Sequence, residues 1–192
     1  MKKILIATAT AATLFAPQAF AQAKSFEGFS ITGNAVATRS TFEVSTATLN
    51  GTASSNSTNF GLQGQYAWAL SEKFVFGVGA QLGVGDVKVG TLTSSGSDID
   101  IVGKSWNSAH VAPGYAVSDT FLVYGKLAAL SGELEARAGA LTAKASGTGA
   151  GFGIGVQSLL TKNIFIQAEA SSNIYSDKYK NTQLSLGVGY KF

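Results

Sequence analysis

The last ten residues of the chain, Gln183-Leu184-Ser185-Leu186-Gly187-Val188-Gly189-Tyr190-Lys191-Phe192, decide the fold. Side chains alternate between the two faces of a β-strand, so every second residue of this stretch shares a face. One face is small or polar, and the other is large and apolar, formed by Leu184, Leu186, Val188, Tyr190 and Phe192. A final strand that stops on an aromatic residue is a narrower pattern than alternation alone, although a secreted β-sandwich can also end in an alternating strand.

The same stretch resembles the C-terminal signal of outer-membrane β-barrels. Ser185, Gly187, Tyr190 and Phe192 are similar to its pattern of a polar residue, a glycine, and two apolar residues separated by one. The resemblance implies that the barrel-assembly machinery is a partner and that it reads this strand.

The N-terminus predicts export. Lys2 and Lys3 precede an apolar run at residues 4–16 and a small-x-small cleavage site, Ala19-Phe20-Ala21. The run is shorter than the roughly 20 residues of a membrane helix, and Pro17 would break such a helix. We therefore predict a signal peptide at residues 1–21 and one domain at residues 22–192.

Composition limits the partners and cofactors of the mature chain. The formal net charge of +3 includes Lys2 and Lys3, so the mature chain is less basic and no nucleic-acid partner is expected. Cysteine is absent from the sequence, which excludes disulfides and thiolate metal sites. The sequence shows no metal-ligand cluster, and its glycines lack the strand-to-helix context of a nucleotide loop, so no cofactor is predicted.

Eight segments with period-two alternation follow the predicted signal peptide, at residues 26–38, 59–70, 74–85, 106–117, 121–130, 149–159, 164–175 and 183–192. Short turns at 71–73, 118–120 and 161–163 alternate with polar segments. Those segments, at 39–57, 86–104, 131–148 and the shorter 176–181, predict exposed loops, with local helix at 133–137. Pro113 removes a ladder donor from its strand, so we expect a bulge or a weakened bond there.

The polarity of the alternation favours a membrane barrel. The less apolar face is mostly Gly, Ser, Gln and Asn, too small and polar to be the outside of a soluble protein with 13% charged residues. Closed barrels and helices are the two structures that satisfy all backbone groups in a bilayer, and no helix-length apolar segment follows residue 21. We therefore predict an all-β fold, a transmembrane eight-stranded antiparallel up-and-down barrel with its short turns in the periplasm. A periplasmic aromatic girdle is expected from Trp68, Phe74, Tyr115, Phe121, Phe165, Tyr190 and Phe192.

Residues 22–192 resemble the small OmpA/OmpX-type barrels and opacity-like surface barrels of Gram-negative bacteria. Ala112-Pro113-Gly114-Tyr115 and Tyr124-Gly125-Lys126 are similar to short segments of such proteins. The resemblance implies a monomer in outer-membrane lipid with a structural or adhesin-like role, its long loops meeting an extracellular partner. The alternatives are a narrow, porin-like channel, a lipid-modifying enzyme and a soluble secreted β-domain.

We predict a polar network inside the lumen. Lys126 and Glu169 are predicted to face the lumen at membrane depth, where a charge is costly unless it is paired or hydrated. We expect them to meet across the strand between them, in a network that also includes Gln65, Gln81, Gln157, Gln167, Tyr124 and His110. The favoured role is a plug, because side chains just fill an eight-stranded barrel; an ion or proton pathway is the alternative.

His110, the only histidine in the sequence, raises the question of catalysis, since Ser108 shares its predicted face. Outer-membrane lipid deacylases use a serine and a histidine on the barrel wall. Here the alternation points both residues into the lumen, away from lipid, and no acid in the segment is placed to orient the imidazole. The sequence therefore predicts a lumen histidine and no enzymatic activity.

Overall fold

The computed structural model of the protein describes residues 21–45, 50–94, 97–138, 141–176 and 179–192. The predicted signal peptide lies outside the described residues except for Ala21. Parts of the predicted loops, at residues 46–49, 95–96, 139–140 and 177–178, also lie outside them.

The described residues form one short helix and nine strands. They are α1 (Ala21–Lys24), β1 (Gly28–Ser45), β2 (Asn50–Ala69), β3 (Phe74–Val84), β4 (Val87–Ser94), β5 (Ser97–Ala116), β6 (Phe121–Ala138), β7 (Leu141–Leu159), β8 (Ile164–Ser176) and β9 (Tyr179–Lys191). None of the helical structure in these residues has the length and apolarity needed to cross a membrane.

The strands close into an antiparallel barrel with eight walls. Neighbours follow chain order around the sheet, β1 pairs with β9, and β3 closes the ring by pairing with β5. The strands β3 and β4 form one wall, since both pair with β5 and only Gly85 and Asp86 separate them. Gly85 has φ +91°, a conformation that glycine adopts without steric cost. The predicted eight-stranded up-and-down barrel is confirmed.

The barrel is apolar outside and polar inside. Outward-facing Phe60 and Leu186 are 64% and 61% exposed, whereas inward-facing Asn34 is 3% exposed. Phe74 to Val84 on β3 spans about 34 Å along the strand. At a tilt of about 45° this corresponds to a height of about 24 Å, which matches the apolar band of outer-membrane barrels.

The aromatic girdle at the short-turn end contains six of the seven predicted residues. Pairs of these rings touch, such as Phe74 with Tyr115, whose centroids are 5.4 Å apart, and Tyr190 with Phe192, at 5.0 Å. The prediction for Phe165 is wrong, because this side chain is 1% exposed. It alternates with outward Ile164 and therefore points into the lumen.

The long polar segments predicted as loops are mostly strand, which corrects the sequence prediction. The strands β6 and β7 remain paired as far as Ala138 and Leu141, and β1 and β2 as far as Ser45 and Asn50. Residues 133–137, predicted to be locally helical, belong to β6 and pair with residues 142–146. Beyond the apolar band neither face needs to contact lipid, so these strands do not show alternation. The walls thus continue past the membrane as a polar sheet.

Pro113 interrupts the β5–β6 ladder without a bulge. Ala112 and Pro113 have no paired residue on β6, and pairing resumes in the same register at Gly114 and Tyr124. This is the weakened bonding expected of a residue without an N–H group. The bulge on β5 lies instead between Lys104 and Asn107.

Candidate functional site: the filled lumen

Large lumen side chains lie opposite glycines on neighbouring strands. Tyr124 pairs with Gly155, Phe165 with Gly189, and His110 with Gly79. A Cβ atom at Gly155 would lie 2.5 Å from Tyr124 Oη, closer than side chains tolerate. These glycines therefore make the room that rings require in a lumen that is only as wide as its side chains.

An ion pair lies buried at the centre of the lumen. Lys126 Nζ on β6 is 3.0 Å from Glu169 Oε1 and 3.1 Å from Oε2 on β8. The intervening strand β7 presents Gly153 beside Lys126 and Gly155 beside Glu169, so the two side chains meet across a wall without side chains of its own. Both are 7% exposed, and Tyr124 donates a hydrogen bond to Glu169 Oε2 at 3.1 Å.

Amide groups complete the surroundings of the ion pair. Lys126 Nζ donates to Gln81 Oε1 and to Gln63 Oε1, both at 3.4 Å. The Lys126 ammonium is therefore surrounded by a carboxylate and two amide oxygens. These acceptors compensate the charge and the hydrogen-bond donors that burial removes from water. Gln63, which sequence reasoning left out of the network, is a direct partner.

The other predicted lumen residues form smaller groups. His110 Nε2 and Gln65 Oε1 are 3.1 Å apart, so the histidine contacts an amide. Gln167 Nε2 donates to Asn34 Oδ1 at 2.9 Å, a partner that sequence reasoning missed. Gln157 lines a small cavity nearer the periplasmic end.

Trp106 is a further lumen residue that sequence reasoning missed. Its ring lies over Gly83 on the adjacent strand β3 and over Gly61 on β2, where a Cβ would be 3.3 Å from the indole. The indole and the ion-pair residues line one cavity, with Trp106 nearer the extracellular end. The sequence signal that could have identified it was the presence of two inward-facing glycines, Gly61 and Gly83, which leave room for a large side chain.

Residues before the first strand close the periplasmic end. Ala23 and Phe26 pack in an apolar cluster with wall residues Ala67, Val75, Ala112, Ala116, Leu122 and Tyr124. The Ala23 N–H donates to the Glu72 carbonyl at 2.9 Å, and the Ala69 N–H donates to Glu27 Oε2 at 3.2 Å. The segment is thereby fixed to the rim by both backbone and side chain.

The cavities within the lumen are small. Their volumes are about 20, 30 and 60 Å³, which leaves room for one to a few waters in each. Among the described residues, no group of three or more His, Asp or Glu could hold a metal ion. The lumen thus has the form of a packed polar core.

The extracellular extension carries its own charge network. Glu135 accepts a hydrogen bond from Arg137 Nε and lies 3.7 Å from Lys104 Nζ and 3.8 Å from Lys144 Nζ. Lys144 Nζ is also 3.1 Å from Glu133 Oε1. The hydrogen bond from Arg137 and the surrounding cations lower the pKa of Glu135 below its ordinary value of 4.5. These contacts connect β5, β6 and β7 outside the membrane.

The residues of the predicted assembly signal lie on β9 and at its end. Ser185 and Gly187 belong to the lumen-side set, whereas Tyr190 and Phe192 face outward. The strand pairs with both β1 and β8. Its recognition by the assembly machinery stays a prediction.

Comparisons with known proteins agree with this architecture. A family model described as "Outer membrane protein beta-barrel domain" matches residues 7–192, and comparison with curated protein sequences finds no match. A solved structure of similar fold is Ail of Yersinia pestis, in complex with the heparin analogue sucrose octasulfate. It is 20% identical, with a TM-score of 0.59, over 86% of this chain and 99% of that one.

Two other solved structures are similar at lower identity. Neisserial surface protein A is 15% identical with a TM-score of 0.56, over 86% of this chain and 98% of that one. OprG of Pseudomonas aeruginosa is 14% identical with a TM-score of 0.51, over 86% of this chain and 96% of that one. At these identities the likeness shows the fold alone. The family match over nearly the whole chain shows that this protein is a bacterial outer-membrane barrel and belongs to the outer membrane protein β-barrel domain family.

Proposed function

We propose that the protein is a closed barrel with a structural and surface-interaction role, exercised by the polar sheet outside the membrane. The observation that carries the proposal is the length of the walls. A transmembrane strand needs about 9–11 residues, yet β6 has 18 and β7 has 19. The surplus is paired, polar and charged, and it forms a rigid platform rather than flexible loops.

A rigid platform suits binding, because less conformational entropy is lost when a preformed surface meets a partner. The charges on and beside β4 to β7 alternate in sign and balance: the four basic residues are Lys88, Lys104, Arg137 and Lys144, and the four acidic residues are Asp86, Asp100, Glu133 and Glu135. Ail was crystallised with a sulfated sugar, but this interleaved surface does not offer a polyanion an excess of positive charge. We therefore propose an extracellular partner recognised by hydrogen bonds and shape.

Trimming one hairpin tests the proposal. Residues 132–147 would be replaced by Asn-Gly, which closes a two-residue hairpin between the paired residues Ser131 and Thr148. Cells expressing the trimmed barrel are expected to lose adhesion to surfaces that cells with the full chain bind, while the barrel remains folded, as shown by its heat-modifiable migration. A substitution in the periplasmic turn, Asp119→Asn, is the control. Unchanged adhesion after trimming of each extracellular hairpin in turn would refute the surface role.

A narrow channel is the second candidate, favoured by the polar residues that line the lumen at membrane depth. We propose a plug instead, because Lys126, Glu169 and their amide partners fill the section they occupy. Single-channel recording on the wild type and on Lys126→Met distinguishes the two. A plug predicts negligible conductance in the wild type, whereas a wild-type conductance that changes with Lys126→Met would establish a channel.

We propose that Ser108 and His110 fill space and have no catalytic role. His110 Nε2 lies 3.1 Å from Gln65 Oε1, and the imidazole is buried within the lumen. Lipid A analysis of a deletion strain and of a His110→Ala strain tests this. Loss of a lipid modification in both strains would identify an enzyme.

We also propose that the barrel is a monomer and that the assembly machinery engages β9. Deleting Phe192 is expected to slow insertion in cells without preventing refolding in detergent. Equal insertion rates for the full chain and the chain without Phe192 would contradict the assembly role. A dimer in mild detergent would contradict the proposal of a monomer.

A further inference from the structure

The contact between β1 and β9, which we call the closing seam, is where the sheet becomes a ring. Each other pair of neighbouring walls among the described strands is consecutive in the chain, so a connecting segment joins the two walls at one end. The walls at the closing seam are joined instead through their ladder, which runs from Ser30 and Lys191 to Phe42 and Tyr179. Opening the ring at this seam therefore breaks hydrogen bonds but stretches no connecting segment.

A short segment before β1 folds back across the periplasmic end of the barrel. We call residues 22–27 the N-terminal strap. Gly28 turns the chain from the strap into β1 with φ +123°, a conformation that residues with a side chain rarely adopt. A Cβ at this position would also lie 3.1 Å from the backbone oxygen of Phe192. The strap therefore leaves β1 directly beside the end of β9.

Hydrogen bonds attach the strap to walls on both sides of the closing seam. On one side, Lys191 of β9 donates from Nζ to the Ser25 carbonyl at 2.5 Å. On the other side, the Ala23 N–H donates at 2.9 Å to the carbonyl of Glu72, in the turn after β2. The strap thus connects β9 with the β2 side of the ring, as a connecting turn would.

Apolar packing attaches the strap to the part of the ring that lies opposite the closing seam. Phe26 is 3% exposed and belongs to one apolar cluster with residues of β5 and β6, namely Ala112, Ala116, Leu122 and Tyr124. The strands β5 and β6 are the fourth and fifth of the eight walls counted from β1. Opening the ring into a sheet would move these two walls away from the strap, so burial of Phe26 opposes opening.

We propose that the N-terminal strap is a latch that keeps the closing seam shut, with Phe26 as its anchor and Lys191 as its bond to β9. It takes the place of the connecting turn that this pair of walls lacks, because the seam opens only when the strap undocks. Loss of either contact therefore loosens the closing seam more than the other ladders at the periplasmic end. The β7–β8 ladder is the comparison, since the turn at residues 161–163 joins those two strands at that end.

Hydrogen exchange of individual amides, followed by NMR on the full mature barrel in phosphatidylcholine nanodiscs, tests the latch. Lys191→Met removes the ammonium and keeps an unbranched side chain of similar length. The hydrogen-bonded amides among residues 30–34 and 187–191 are expected to exchange about tenfold faster, the effect of losing one hydrogen bond from a charged group. Amides of the β7–β8 ladder at the same end are expected to change little. Lys162→Met, in the turn between β7 and β8, is the matched control and is expected to leave both ladders unchanged.

A second variant, Phe26→Ala, tests the anchor. Because loss of this ring also lowers the stability of the whole barrel, the readout is the ratio of exchange rates between the closing seam and the β7–β8 ladder, and this ratio is expected to rise. Adding Lys191→Met to Phe26→Ala is expected to raise it little further, since an undocked strap has no bond to lose. Equal acceleration of both ladders would make the strap a general stabiliser and would overturn the proposal. Unchanged exchange at the seam in both single variants would also overturn it, because the ladder alone would then hold the ring closed.

Discussion

Replacing Lys126 with methionine tests how much the buried ion pair in the lumen contributes to the stability of the barrel. The substitution keeps an unbranched side chain of similar length but removes the ammonium, so Glu169 loses the cation that lies 3.0 Å from Oε1 and 3.1 Å from Oε2. Tyr124 still donates to Glu169, but one hydroxyl does not balance a full negative charge in a buried position. The variant therefore leaves an uncompensated carboxylate in a packed lumen.

The expected cost follows from the burial of both partners. Breaking a buried ion pair by removing one member costs about 3–5 kcal/mol, and both of these side chains are 7% exposed. The double variant Lys126→Met/Glu169→Gln removes both charges, and a buried pair replaced as a unit is often nearly neutral. We expect the free energy of unfolding to fall by about 4 kcal/mol in the single variant and by no more than about 1 kcal/mol in the double variant.

Urea unfolding of the barrel refolded in lipid vesicles, followed by tryptophan fluorescence, provides the measurement. With a slope of about 2 kcal/mol per molar urea, the single variant shifts the midpoint by about 2 M. Lys162→Met, at an exposed turn, is the control and is expected to change the free energy of unfolding by less than about 0.5 kcal/mol. Equal losses in the single and double variants would show that the ion pair is not a coupled unit and would refute the reasoning.

Three further predictions concern other parts of the barrel. Gly79→Ala would place a Cβ 2.5 Å from the backbone oxygen of Gly64, so we expect the free energy of unfolding, measured in urea, to fall by about 1–3 kcal/mol. Gly33→Ala is the control and is expected to change it little, because nothing lies within 4 Å of a Cβ at Gly33. Phe26→Ala is expected to lower the free energy of unfolding by about 3 kcal/mol in the same assay, because it leaves a cavity in the apolar cluster that closes the periplasmic end. Because the folded-state pKa of Glu135 is depressed below 4.5, its stabilisation of the extension is present above that pH and is lost as the pH falls through the folded value. A ¹³C NMR titration should show the Glu135 midpoint rising in Arg137→Gln.

The sequence predicts the membrane-spanning half of each wall well, because the two faces of the wall have different surroundings. Lipid outside and a packed polar lumen inside require opposite side chains at successive residues, which the alternation of Leu184, Leu186 and Val188 shows directly. The same alternation places Phe165 inside, because the neighbouring residue Ile164 faces outward. The prediction that Phe165 belongs to the girdle was based on its aromatic side chain instead.

The extracellular half of each wall could not be predicted from alternation. Once a strand leaves the hydrocarbon its outer face meets water instead of lipid, while inner residues such as Ser40, Val89 and Glu135 stay buried. No apolar-polar period then remains in the sequence to distinguish a paired strand from a loop. Residues 131–138 and 141–148 are paired along their whole length although their Ser, Gly, Ala and charged residues resemble loop composition. Strand pairing there depends on the neighbouring wall, which a local window of sequence does not contain.

The lumen contacts depend on which residues the strand register brings together. Lys126 and Glu169 were predictable because both are inward and only β7 separates them. Trp106 has the same parity as inward-facing His110, so alternation also places it in the lumen, although sequence reasoning left it unassigned. The bulge between Lys104 and Asn107 changes the parity only of the residues that precede it.

The glycines supply the missing constraint on register. A lumen this narrow accepts a large side chain only where the adjacent wall has none, and Tyr124, Phe165 and His110 each lie beside a glycine. Sliding the adjacent wall by two residues in one direction would preserve its inside-out polarity but would place these rings against Gln157, Lys191 and Gln81. Alternation thus fixes which residues face the lumen, and the positions of the glycines exclude the registers that are shifted in that direction.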